Sequence, residues 1–306
     1  MLIVRVLGAA AGGGLPQWNC GCPTCQAARE GRIAPQSQSS IALSADGQRW
    51  LLLNASPDLR TQIQSAPCLH PRSNPRHSPI HAVVLTNADV DHIGGLLHMR
   101  ESQPFHLYAT HRVHQVLESN SIFRVLEPPY VERHAVQLET PWQPIDISGQ
   151  SLGMRCRLFS VPGKVARYLE DQEKSNFGTV EEDTVAMEII SDSGRRFYYI
   201  PGCAEVHNGL KTRVESADAL FFDGTLWDDQ EMIRQQLGIK TGKRMGHISM
   251  SGETGSLCAW ANVAIKRRVF IHINNTNPVW MPESPQRRYV AQAGWDIAHD
   301  GMEIEL

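Results

Sequence analysis

The run Ala82-Val83-Val84-Leu85-Thr86 leads without a break into Asn87-Ala88-Asp89-Val90-Asp91-His92 and then Gly94-Gly95. A short apolar, β-branched run reads as a buried strand, and the glycines after it as a turn. Two carboxylates and an imidazole are thereby crowded onto the end of a rigid element, which is where α/β scaffolds carry chemistry. The pattern recurs: Tyr199-Ile-Pro-Gly202-Cys203 and Phe221-Phe-Asp223-Gly224-Thr225 end two strand-like runs, Gly246-His247-Ile-Ser249 precedes a helical pattern, and Phe270-Ile-His272-Ile-Asn-Asn275 ends a further strand. Metal-type residues at so many element ends exceed what an inert core spends there.

Strand-like and helix-like segments alternate throughout, which predicts an α/β protein with mostly buried strands. Strands are expected at Leu2–Leu7, Trp50–Asn54, Ala82–Thr86, Arg196–Ile200, Ala219–Phe222 and Arg268–Ile273, and helices at His111–Ser119, Asp228–Leu237, Glu253–Lys266 and Pro285–Ala293. Trp295–Ala298 and Met302–Leu306, joined by Asp300-Gly301, read as a closing hairpin. The proline-rich Cys68–Ile80 reads as a loop and the charged Glu170–Asp183 as a mobile one. No linker or repeat divides the chain, so one domain over residues 1–306 is expected. A net charge of -3 lacks the basic field that nucleic-acid binding needs. No apolar run approaches the roughly 18 residues of a membrane span, and Arg5 interrupts any signal peptide. Seven cysteines, an odd and scattered set, suit a reducing compartment; a soluble, cytoplasmic protein is expected.

The start Gly8-Ala-Ala-Ala-Gly12-Gly13-Gly14 does not match Gly-x-Gly-x-x-Gly, and Pro16 leaves no clean helix behind it. It reads as a turn that brings backbone close to something bulky. Cys20, Cys22 and Cys25 are stronger: three thiolates within six positions can wrap one tetrahedral ion, as in structural zinc sites. A redox Cys-Pro-Thr-Cys pair would want Cys22 at a helix start in a thioredoxin-like unit, which the flanking pattern lacks. The fourth zinc ligand must come from elsewhere, Asn274, Asn275 or Asn277 among the options, although these asparagines also suit a plain turn before Pro278.

In order and content these segments resemble the metallo-β-lactamase superfamily, whose signature is His-x-His-x-Asp-His after a strand. The Asp223 and Gly246-His247 segments are similar to those of its ribonuclease Z and phosphodiesterase branches. The Cys-x-Cys-x-x-Cys loop, Asn54-Ala-Ser-Pro-Asp58, Asp223-Gly-Thr-Leu-Trp227, His272-Ile-Asn-Asn-Thr-Asn-Pro278 and the Gly294-Trp295…Asp300-Gly301 ending extend the likeness end to end to the PqqB family, which acts in pyrroloquinoline quinone (PQQ) biosynthesis. The resemblance implies a four-layer αββα sandwich. It also implies that one metal site is depleted, with Asn87 and Asp89 where the first two histidines belong, no histidine near Val161–Lys164, and Cys203 at the bridging position.

The second site is intact. Asp91, His92 and His272 form the two-histidine, one-carboxylate set expected of a non-haem Fe(II) oxygenase, with Asp89 as a fourth or supporting group. Zinc or manganese would suit the same donors. The family likeness implies oxygen-dependent hydroxylation of the tyrosine ring of a Glu–Tyr precursor. His247 is expected as pocket acid or base, and Asp223 as the group fixing its tautomer. Arg60, Lys164 and Arg167 are candidates for the precursor's carboxylates. Each has a plainer reading: Asp89 as a helix cap, His247 as a cap or packing residue, Cys203 as a buried small hydrophobe. His98, His106, His111 and His114 read as solvated. Two other functions stay open: a carrier or release factor for PQQ or its precursor, and a zinc-dependent phosphodiesterase-like hydrolase. Partners are thus a small Glu–Tyr-derived molecule or PQQ, with a homodimer as an open option and neither nucleic acid nor membrane.

Overall fold

The computed structural model describes residues Met1–Leu306. Its strands are β1 (Ile3–Gly8), β2 (Ser40–Ser44), β3 (Trp50–Leu53), β4 (Ile80–Val84), β5 (Phe105–Ala109), β6 (Val131–Ala135), β7 (Met154–Ser160), β8 (Val185–Ser191), β9 (Arg196–Ile200), β10 (Ala217–Asp223), β11 (Ile265–Ile271), β12 (Asp296–Ile297) and β13 (Glu303–Glu305). They form two mixed sheets, ordered β13-β1-β2-β3-β4-β5-β6 and β12-β11-β10-β9-β8-β7. Strands β3 to β6 run parallel, as do β9 to β12.

Alternation explains the layering. In β3, Leu51 and Leu53 enter the core between the sheets, while Trp50 and Leu52 join the apolar layer under the outer helices. That layer takes Leu59, Ile93, Leu96, Val113 and Leu117 from the helical segments at 59–64, 90–99 and 111–119. On the far side, Leu210, Val214, Leu257 and Val290 cover the second sheet. The result is the αββα sandwich. No helix is long and apolar enough to cross a membrane.

Three expected elements differ. Asp228–Leu237 and Glu253–Lys266 shrink to single helical turns, Glu231–Arg234 and Ser256–Ala259. In the second, Trp260 is fully buried and the chain enters β11 at Ile265. The apolar spacing there plugs an irregular segment into the core. The terminal residues do not form a hairpin: β12 joins β11 in one sheet, while β13 joins β1 in the other. The Asp300-Gly301 turn exists, with Gly301 at φ +83°, but it changes sheets.

Asn54, just past β3, fixes the start of the site. It is fully buried at φ 62°, where L-residues are rare. Its side-chain oxygen accepts the Thr86 N–H at 2.9 Å and its amide donates to Thr86 Oγ1 at 2.9 Å, so the residue before Asn87 has no freedom to shift. Gly95 lets the following turn close onto this loop, since a Cβ there would lie 2.1 Å from the Ser56 carbonyl oxygen. Replacing Asn54 by Ala orphans the Thr86 N–H and strains φ, so Asn54→Ala is expected to lower unfolding stability by about 2–4 kcal/mol. Asn54→Gly should recover about 1 kcal/mol of that by relieving the backbone alone. Urea melts of the three chains measure both.

Candidate metal centres and pocket

Thr86 delivers the chain to Asn87, whose Oδ1 accepts from the Asp89 N–H at 2.9 Å and from His92 Nδ1 at 2.8 Å. That bond sets the His92 tautomer, and Nε2 is left buried with no hydrogen-bond partner. His272 follows β11 at φ 58°; its Nδ1 faces Thr225 Oγ1 at 2.9 Å and its Nε2 lies 3.1 Å from Asp91 Oδ2. Asp91, His92 and His272 therefore present three donors within 4.8 Å of one another. An orphaned Nε2 aimed at a carboxylate and a second imidazole is the signature of a site shaped for a cation. The protonation states agree. Burial pushes His92 down to about 4, keeping the imidazole neutral. Burial also acts to raise Asp91, but the His92 and His272 imidazoles outweigh it and hold the carboxyl below the ordinary range.

The Gly-rich turn forms the floor. Ala9 and Ala11 bond to Ile273, and a Cβ on Gly12 would lie 3.2 Å from Asp91 Oδ2. A side chain at Gly12 would press on the Asp91 carboxylate, so glycine eases this close approach of the backbone.

Asp223, His247 and His272 also lie within 4.8 Å of one another, but this group is already internally bonded. The fully buried Asp223 accepts from His247 Nδ1 at 2.7 Å, Thr225 Oγ1 at 2.6 Å and the Cys203 N–H at 2.9 Å. The Thr225 hydroxyl, having donated to Asp223, accepts from His272 Nδ1. Burial opposes a charged His247, yet the Asp223 carboxylate beside it raises its pKa above the usual imidazole value. The expected Asp223–His247 pairing is thus present, and His247 turns its Nε2 edge to the pocket.

Asp89 does not join the triad. Its Oδ1 accepts from the Arg167 N–H at 3.1 Å, and although it precedes the short helix Val90–Ile93 its side chain makes no capping bond. Burial first, and the Asp91 charge second, raise its pKa. Cys203 is buried; its thiol donates to the Glu205 carbonyl at 3.1 Å, and burial pushes it up to about 12. It belongs to no donor cluster, in keeping with the plainer reading.

A cavity of about 600 Å³ lies over the triad, lined among others by Asp89, Lys164, Arg167, Tyr168, Lys240 and His247. Lys164 and Arg167 are present as expected; Arg60 instead lies exposed on the helix Leu59–Gln64. Lys240 and Glu170 escaped the sequence reading. The Glu170 side chain is only 2% exposed and holds Lys164 Nζ at 2.8 Å and Arg244 Nη2 at 2.7 Å, with Lys240 Nζ at 3.9 Å. The charged 170–183 loop is thereby anchored at its start. Thr225 and the acceptor role of Asn87 were also missed, since neither residue type announces such a role from sequence.

The cysteine loop forms a second, separate cluster. Cys20, Cys22 and Cys25 are buried and converge, and Asn275 Nδ2 lies 3.2, 3.5 and 3.3 Å from their sulfurs. Of the three asparagines weighed, Asn275 is the one placed to complete a four-donor set, because turning its amide over presents the oxygen. Burial pushes the Cys25 thiol up to about 12, while at Cys22 bonds with Thr24 and the Cys25 amide outweigh burial and lower it. Three converging sulfurs cannot all ionise here without a cation to neutralise them.

The sandwich, with its metal-type residues gathered at strand ends, defines a member of the metallo-β-lactamase superfamily: residues 49–273 match the family described as beta-lactamase superfamily domain. Over 305 residues the chain is 52% identical to coenzyme PQQ synthesis protein B of Methylorubrum extorquens (strain PA1), covering 99% of each chain. It is 53% identical over 303 residues to the protein of the same name from Ruegeria pomeroyi, again covering 99% of each. The crystal structure of Zn2+-bound PqqB from Methylobacterium extorquens superposes with a TM-score of 0.94 at 52% identity, covering 99% of this chain and 100% of that one. The chain belongs to the coenzyme PQQ synthesis protein B family.

Two outcomes test this geometry. Thr225→Val removes the hydroxyl that orients His272 while leaving every proposed donor in place. The variant should fold, bind Zn2+ at the triad about 10–100-fold more weakly in chelator competition, and keep the zinc of the cysteine cluster. The second outcome concerns Glu231, which accepts from the Trp227 N–H at 2.7 Å and from the Thr276 hydroxyl, bracing the loops that follow β10 and β11. Burial raises its carboxyl from 4.5 to about 7. Between those values the folded chain keeps a proton that the unfolded chain releases. Stability should therefore fall as pH rises through the window, by up to about 1.4 kcal/mol per pH unit. Glu231→Gln should flatten that slope in melts run across it.

Proposed function

We propose that the chain carries out an oxygen-dependent hydroxylation in PQQ biosynthesis, acting on the tyrosine ring of a Glu–Tyr precursor at a mononuclear Fe(II) held by Asp91, His92 and His272. The observation that carries this reading is the composition of the donor set: two imidazoles and one carboxylate whose donor atoms converge, while the neighbouring Asp223–His247 pair is already joined by its own hydrogen bond. Three protein donors leave adjacent positions open. A two-metal hydrolase needs a second ion to clamp attacking and leaving oxygens; Asn87, Pro162 and a neutral Cys203 thiol offer it nothing, and the Asp89 carboxylate, its pKa raised by burial, accepts from the Arg167 N–H instead. Zn2+, present in the Methylobacterium extorquens structure, fits the same donors, as does Mn2+, so the choice of iron rests on the chemistry assigned.

Fe(II) bound there would supply the one-electron chemistry that lets dioxygen react with a phenol ring, one oxygen atom entering the ring and the other leaving as water with two electrons from an external reductant. The chain's own groups supply position and protons. Lys164, Arg167 and Lys240 line the cavity and suit the carboxylates of an acidic dipeptide. His247, its Nδ1 held by Asp223, presents Nε2 to accept or return the phenol proton. Thr225 couples that imidazole to the metal-facing His272, so the proton-handling and metal-holding groups keep a fixed spacing. The cysteine cluster, with Asn275 next in line after the His272 turn, is read as a structural zinc site that rigidifies the same loop.

The apo-protein is loaded anaerobically with Fe(II), given the Glu–Tyr precursor and a reductant such as ascorbate, and exposed to oxygen, with the ring product read by mass spectrometry. The hydroxylated ring is expected from the wild-type chain and not from His272→Ala. No product with iron, or equal product from His272→Ala, sinks the reading; turnover of a phosphodiester with zinc promotes the hydrolase, and tight PQQ binding without any turnover promotes the carrier.

A further inference from the structure

The first sheet carries a second set of metal-type side chains that the active-site triad does not use. His106 on β5 and Glu132 on β6 are direct cross-strand partners, and His134 lies two residues along β6 on the same face. Their donor atoms all fall within 4.8 Å of one another. His106 Nδ1 is 2.9 Å from His134 Nε2 and 3.4 Å from Glu132 Oε2, while His134 Nε2 is 3.7 Å from Glu132 Oε1. Three donors each about 2.0–2.1 Å from one ion stand about 3.0–3.6 Å apart at ordinary coordination angles. The observed spacings need only small side-chain shifts to match.

The cluster is held from behind. His106 is buried, and its Nε2 faces the Asp146 carbonyl oxygen at 3.2 Å. A carbonyl only accepts, so the proton sits on Nε2 and the Nδ1 lone pair points at His134 and Glu132. Metal-ligating imidazoles are oriented through their far nitrogen in the same way. Asp146 is itself fixed, its carboxylate accepting from Arg49 at 2.9 Å and from Ser148 Oγ at 2.6 Å. The His134 ring stacks on Tyr108 at 4.6 Å and 17°, and Tyr108 in turn on Trp142. Glu132 is exposed and free to swing inward.

We propose that His106, Glu132 and His134 form a second divalent metal site, taking Zn2+ or a similar ion with a preference for imidazole. It is distinct from the triad: His106 is level with Ala82 in β4, whereas Asp91 and His92 lie beyond the C-terminal end of that strand. Strand β6 is the sheet's edge, with unpaired backbone on its outer side. An ion here ties that edge to β5 and, through Asp146, to the 142–151 segment. Without the ion, the two imidazoles share a single N–H···N bond.

The test uses the full-length chain, dialysed to equilibrium against micromolar Zn2+, with bound zinc per chain read by plasma emission. His134 is partly exposed, so His134→Ala should keep the wild-type circular dichroism and hold one Zn2+ fewer. Glu132→Gln, a surface change, should weaken the same equivalent by about tenfold. His272→Ala should lose a different equivalent, and the double variant His134→Ala/His272→Ala should lose both. A folded His134→Ala chain that binds as much Zn2+ as the wild type overturns the proposal, as does a double variant that loses no more than His272→Ala alone.

Discussion

A fully buried carboxylate, Asp223, sets the terms for the rest of the site. A charge removed from water survives only if donors surround it, and the chain meets this demand from separate strand ends. Cys203 N–H comes from the end of β9, Thr225 from the turn after β10, and His247 from the loop before Ser256–Ala259. Through the Thr225 hydroxyl the network reaches His272 at the end of β11. Loops that are far apart in sequence are thus drawn to one point by the solvation needs of a single anion. The alignment of the His272 ring toward Asp91 follows from that gathering.

Much of this was legible in the sequence where one strand end carried its own signal. Asn87–His92, Asp223, His247 and His272 each follow or precede a clear apolar run, and the structure converges them. The Asp223–His247 pairing was legible because imidazoles with a task need an orienting acceptor. What could not be read was anything depending on a partner supplied by folding. Glu170 looks like one charge in a charged loop until Lys164 and Arg244 close on it. His106 and His114 read as solvated, yet both are buried: His114 faces the His134 carbonyl oxygen, and only the pairing of β5 with β6 shows that His106 shares an inner face with Glu132 and His134. The two overextended helices failed for another reason. Spacing of apolar residues reports which side chains are buried, and an irregular segment that buries Trp260 satisfies it as well as a helix does.

Asn87 shows what an amide does at this strand end that an imidazole could not. A neutral imidazole at this position would offer one acceptor nitrogen, whereas an amide oxygen offers two lone pairs. Asn87 uses both, taking the Asp89 N–H and the His92 Nδ1–H. This one side chain thereby tightens the turn and fixes the His92 imidazole. Asn275 makes a similar double use of its neighbourhood: its backbone carbonyl accepts from Thr24 while its amide faces the three sulfurs.

Asp89 and Asp91 sit two residues apart in the same turn, yet their environments drive them in opposite directions. Asp91 has two imidazoles beside it and is held ionised; Asp89 has burial and the charge of Asp91 against it, and its pKa rises. Two carboxylates on the pocket wall would by themselves repel an acidic ligand and cancel much of the attraction of Lys164, Arg167 and Lys240. A divalent cation at Asp91, His92 and His272 reverses that balance, because its charge exceeds that of the one carboxylate it covers. On the proposed reading, metal loading and affinity for a polycarboxylate precursor are therefore linked through one local field: the ion that supplies the chemistry also makes the pocket electrostatically acceptable to its substrate.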